Sequence, residues 1–120
     1  MNAQLAQFFE KSPEALPVYL AFEQAVLGQF PHANIRIQKT QISFSEQFGF
    51  CCASLPRRKS DRGLLVSFGL SQRLEHPRVT YASQISAHRW THHVLVPDAG
   101  AVDRQLLEWI RSSWQLSHQK

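Results

Sequence analysis

At 120 residues, with 43% hydrophobic and 18% charged positions, the chain has the make-up of a globular protein, which excludes disordered and fibrous classes. The formal net charge of +4 biases encounter toward acidic partners without defining a site for them. No segment approaches the roughly 18 apolar residues of a membrane span, and the opening "MNAQLAQFFEKSPE" lacks the basic and apolar regions of a secretory signal. The sequence therefore predicts a cytoplasmic protein with no membrane partner. Eight Phe and three Trp predict an aromatic core, and Cys51 and Cys52, adjacent in the chain, read as free thiols rather than a staple.

In chain order, Ser12 reads as an N-cap, Pro13 as the first helical residue and Glu14 as a first-turn carboxylate. The helix that follows gathers Leu16, Tyr19, Leu20, Val26, Leu27 and Phe30 on one face by spacings of three and four, and Gly28 and Pro31 mark its end. Residues 1–11 form a short helical extension, with Phe8 and Phe9 folded back on the core. From Ile35 the period changes to two: Ile35 and Ile37, Ile42 and Phe44, Phe48 to Cys52, and Leu64 to Leu70 read as strands. The brief connections "KTQ", "SEQ" and "PRRKSDRG" favour antiparallel pairing. Val79 to Ile85 is a further extended stretch and Trp90 to Val96 a last strand. Asp98 reads as the cap of a final helix that places Val102, Leu106, Trp109, Ile110 and Ser113 on one face. The whole predicts a single α+β domain over 1–120: an N-terminal helix, an antiparallel meander of about five strands and a C-terminal helix. Both helices should pack on one face of the sheet, because the strands alternate instead of reading as continuous apolar runs.

No motif names a reaction, and no cofactor or metal is implied. His88, His92 and His93 invite a metal, but alternation sends His92 and His93 to opposite faces and no further ligand stands at diagnostic spacing. A reactive thiol needs an electropositive, partly exposed setting, whereas the cysteines sit mid-strand, one inward and one outward. The carboxylates Glu46, Asp61, Glu75, Asp98, Asp103 and Glu108 are scattered singly, with no pair for acid and base work. What remains is cationic density: Arg57, Arg58, Lys59 and Arg62 in one connection, and Arg36, Lys39, Arg73, Arg78 and Arg89 on or near other strands. Such groups can contact phosphates as forks and point charges.

In order, "KTQISF", "FGFCCASLPRRK", "LLVSFGL", "SAHRWTHHVLV" and "VDRQLLEWIRSSW" resemble a small bacterial domain family of unknown function, found alone and appended to predicted restriction or nuclease components. The chain departs from that pattern at Ser113 and Trp114 and in its cysteine pair. The resemblance implies the fold and an association with nucleic-acid processing. With the residue reading it predicts a non-catalytic module in which Lys39, Arg58, Lys59, Arg89 and His93 converge on the uncovered face or one end of the sheet and bind an anionic partner such as nucleic acid. Within "RWTHHVLV", Arg89, Thr91 and His93 should face that partner, while Trp90, Val94 and Val96 pack beneath the helices. The alternative is a protein-interaction domain or homodimer using exposed aromatics such as Tyr81 and Trp114.

Overall fold

The computed structural model describes every residue except Met1, Lys59 and Lys120. A short helix, α1 (Ala3–Phe8), leads to a single 3₁₀ turn over Pro13–Ala15. That turn runs into α2 (Leu16–Gln29). Ser12 makes no side-chain cap bond, so proline's fixed φ starts the coil instead, and Pro17 is tolerated because its missing N–H falls among the unbonded donors of the first turn. The buried face of this segment is Ala15, Val18, Tyr19, Phe22 and Val26. Leu20, expected inward, is 40% exposed. The helix carries apolar residues around most of its circumference, so spacing alone did not select the packed side.

The strands are β1 (Asn34–Ile37), β2 (Ile42–Ser45), β3 (Gly49–Ser54), β4 (Leu64–Leu70), β5 (Val79–Ser86) and β6 (Arg89–Val96). They form one antiparallel sheet in the order β1-β2-β3-β4-β6-β5. Among the described residues there are thus six strands rather than about five, and the last two depart from a plain meander. The β5–β6 hairpin docks by its second strand, because β6 carries the apolar Val94 and Val96 (both 0% exposed) while β5 is polar and mostly exposed. Burial puts the apolar strand inside and leaves the polar one at the edge. Gly63 permits the tight approach at the start of β4: its φ is +84° and a Cβ there would run into the Val96 carbonyl.

The final helix, α3, spans Arg104–Ser117 and is capped by Asp103, whose carboxylate accepts from the Leu106 amide at 3.1 Å. Asp98, expected as that cap, instead closes a separate 3₁₀ turn over Ala99–Ala101. The chain turns out of helical conformation at Val102 (ψ 83°), so Val102 lies outside the helix. Arg78 ties this corner together, with bonds of 2.9 and 3.1 Å to Asp103 and 2.9 Å to the Ala101 carbonyl.

Both long helices cover the same face of the sheet. Phe44 of β2 packs edge-on against Phe22 of α2 at 5.5 Å, and Phe68 of β4 stacks on Trp109 of α3 at 5.8 Å. Phe30 sits between Phe50 and Trp114, and Phe9, 2% exposed, closes the cluster against Tyr19. Each such ring contributes roughly 1.5–3 kcal/mol by burial. Among the described residues no helix is long and apolar enough to cross a membrane.

Candidate functional site

The registers of the five strand pairs line up two neighbouring rows of side chains on opposite faces. On the covered side run Ile35, Phe44, Cys51, Phe68, His92 and Ala82; on the open side run Arg36, Ser43, Cys52, Ser67, His93 and Tyr81. One row is aromatic and apolar, the other almost wholly polar, and each crosses every strand.

The open row is held by side-chain bonds. Ser67 Oγ lies 2.7 Å from His93 Nδ1, and the His93 ring stacks on Tyr81 with centroids 4.1 Å apart. Burial, with electrostatic coupling to the neighbouring His92 and Arg57, lowers the His93 pKa below its usual value. At the other end Ser43 Oγ donates to Gln38 Oε1 at 3.0 Å and accepts from Gln41 Nε2 at 3.1 Å. The Cys52 thiol reaches Gln41 Oε1 at 3.9 Å. Its pKa is raised by burial, with a partly opposing bond from Ser67, so it is a protonated donor at neutral pH rather than a nucleophile.

Beside this row the sheet splits. Paired positions of β3 and β4 end at Cys51 and Phe68, and past them the Ser113 hydroxyl of α3 takes the place of the ladder. It donates to the Phe50 carbonyl at 2.6 Å and accepts from the Gly69 amide at 3.0 Å. The resulting notch is lined by Gln41, Ser43, Cys52, Ser67, Arg89 and Thr91 on the open face. Arg89 is exposed and spends one donor on the His88 carbonyl at 3.0 Å. A second recess, at the opposite end of the sheet, is lined by Arg57, Arg58, Asp61, Thr80, Tyr81 and Leu95.

Of the residues expected to converge, Arg89 and His93 share the open face. Arg58 lies in the second recess and meets the row through Tyr81. Lys39, in the β1–β2 turn, lines a separate hollow with Gln4, Gln7 and Glu10 of the N-terminal segment, and Lys59 lies outside the described residues. Trp90, expected beneath the helices, is only half-buried at the end of β6, with the Arg73 guanidinium 5.9 Å over its ring. The packed residues on that side of the strand are Val94 and Val96, as expected, and His92 next to Trp90, all 0% exposed. The His92 Nε2 accepts from the Leu74 amide at 2.8 Å, which fixes the neutral tautomer. Burial, aided by Arg73 and opposed by the Trp90 backbone, lowers its pKa. The histidines are thereby split between core and open face, and among the described residues no three His, Cys, Asp or Glu side chains converge to hold a metal.

Sequence reasoning missed Ser67, and placed Ser113 on the packed face of the final helix without seeing that it bridges two strands. A lone serine in an apolar strand or helix carries no local signal, and both matter through partners 26 and 44 residues away.

Residues 5–117 match the family described as a domain of unknown function, DUF5655, and the chain belongs to that family. No curated protein and no solved structure matches the chain.

Proposed function

We propose that the open face of the sheet binds an anionic, phosphate-bearing partner, with nucleic acid the class it fits best, and does so without catalysing a reaction. The observation that carries this reading is the distribution of charge. All nine carboxylates of the chain lie outside the strands: none of the six contains Asp or Glu, while Arg36 and Arg89 lie within them. The open face therefore offers hydroxyls, a histidine, a thiol and guanidinium groups with no strand-borne acid to repel phosphate. Arg36 and Arg89 stand at different ends of that face, and Arg57 and Arg58 flank Tyr81. The spread suits a linear polyanion better than one small ion.

Arg89 supplies the fork and His93 a donor at the centre. Arg58 extends the track, Lys39 adds outlying positive charge in the β1–β2 turn, and Lys59 is the further cation that follows Arg58 in the sequence. Exposed Tyr81, 43% accessible and steadied by His93, offers an aromatic surface to an unpaired base. On this reading the domain works in the cytoplasm beside nucleic-acid-processing components, as the resemblance of its motifs implies.

Fluorescence anisotropy with labelled single-stranded DNA, RNA and duplex DNA tests it. The expected result is binding at low salt that weakens linearly on a log–log plot against salt, with a slope of about −0.7 per phosphate neutralised on single strands. All three probes remaining unbound by micromolar protein at low salt overturns the proposal.

A further inference from the structure

The two edges of the sheet are guarded differently. β1 is four residues long and carries Arg36. β5 is eight residues long, reads "VTYASQIS", and contains no charged residue and no proline. Natural edges are normally blunted by charge, proline, bulges or brevity; β5 has no charge, proline or brevity, and its two register shifts leave the stretch Tyr81–Gln84 between them regular. Of the four large exposed hydrophobic residues among the described ones, two lie on this strand: Tyr81, 43% exposed, and Ile85, 68% exposed.

We propose that β5 is a self-association edge, pairing antiparallel with β5 of a second copy of this chain about a two-fold axis at Ser83. The occupant follows from two features. An uncharged strand gives a charged peptide no counter-charge, so a neutral strand is its fitting partner. The strand is also self-complementary: with Ser83 opposite its own copy, Tyr81 of each chain faces Ile85 of the other, so both exposed apolar residues are covered at once. Pairing with His93 and Thr91 puts Tyr81 and Ser83 on the open side, Ile85 lies exposed in the register shift just beyond Gln84, and an axis normal to the sheet carries the open side onto itself.

The register shifts of β5 against β6 fall between Val79 and Tyr81 and between Gln84 and Ser86. They bracket Tyr81–Gln84, which pairs regularly with β6 and is the stretch that another strand would join. The joined sheets continue into one, which sets two copies of the open face side by side. The inference rests on the edge alone and stands whether or not that face binds an anion, although in the dimer Tyr81 is covered and leaves the base-stacking role given to it above.

Analytical ultracentrifugation of the full chain tests it. The mass should rise with concentration from 13.8 kDa toward twice that value. Ser83→Lys places like charges opposite each other at the axis and should weaken association about tenfold or more, with an unchanged thermal melt. Ser83→Cys should give a covalent dimer under mild oxidation, whereas the wild type, carrying Cys51 and Cys52, and Gln24→Cys on the exposed side of α2 should not. A wild type that sediments as a monomer at every concentration overturns the proposal. So does a dimer that survives Ser83→Lys and is not trapped by Ser83→Cys. If Ser83→Lys fails to fold, the cross-link decides alone.

Discussion

His92 and His93 are neighbours in sequence and lie on opposite faces of one strand, and the two environments make different things of the same side chain. His92 is sealed in the core, its ring lying parallel to that of Phe68 at 5.6 Å and its Nε2 taken by the Leu74 amide. His93 is half-buried among polar groups, bonded to Ser67 and stacked on Tyr81. Burial lowers both pKa values, yet the first ring has become a shaped piece of packing with one polar tether, while the second keeps an edge toward solvent. The contrast extends to the whole sheet. Position in the pleat decides whether a residue is judged by volume or by hydrogen-bonding capacity.

The largest expected effect sets the two faces against each other at adjacent positions of β2. Phe44 is 0% exposed and touches rings from Tyr19 and Phe22, so Phe44→Ala should cost about 3–5 kcal/mol in a urea titration. Ser43→Ala, one residue away on the open face, should change stability by no more than about 0.5 kcal/mol. Equal costs would mean that the polar row is as structural as the core.

The next effect concerns pH. Both histidines have folded-state pKa values below the usual 6.5, so the unfolded chain binds more protons than the folded one between those values and 6.5. The stability they contribute is complete above about pH 6.5 and is lost as pH falls through the lowered pKa values. Asp103 opens a second window. Although burial pushes its carboxyl up, the Leu106 amide and the Arg78 guanidinium hold it below 3.8, so its contribution is lost only as pH falls beneath that. His92→Leu strands the Leu74 amide and should cost about 1–3 kcal/mol at neutral pH. The cost should shrink below pH 6.5, because the variant no longer has that buried group to protonate. Thermal melts from about pH 8 to about pH 4, a range that brackets the ordinary histidine value of about 6.5, check this, and a cost independent of pH would place the effect in packing alone.

The division of labour along β6 was legible from alternation: Arg89, Thr91 and His93 fall on one side and Val94 and Val96 on the other. So was the α+β architecture with helices on one face, because half-buried strands alternate and paired helices must cover the apolar half. Less legible was anything set by which strand neighbours which. That β6 rather than β5 lies against β4 depends on comparing the burial of two strands, and it is this order that puts Ser67 beside His93. Trp90 was misplaced because alternation gives a side and not a depth. At the strand's end the helices no longer reach over it, and Arg73 covers it instead. The start of α3 was misassigned because Asp98 and Asp103 are both capping residues and both cap something. Only the conformation of Val102 between them decides which turn becomes the long helix.

The smallest expected effect on stability is the most informative about the open face. Arg36 and Arg89 are exposed, and among the described residues Arg89 bonds only to the neighbouring carbonyl, so Arg36→Ala and Arg89→Ala should each shift stability by no more than about 0.5 kcal/mol. If that face carries a phosphate backbone, each should also weaken binding and reduce the salt slope by about 1. Arg78 is the control with opposite behaviour. Its guanidinium is committed to Asp103, Gln105 and the Ala101 carbonyl, so Arg78→Ala should cost about 1 kcal/mol of stability and leave the salt slope untouched. Paired melts and anisotropy titrations on the three variants separate arginines that hold the fold from arginines that hold a partner. If Arg78→Ala lowers the slope as much as Arg89→Ala does, the attraction comes from net charge spread over the whole chain, and the open face has no special claim to it.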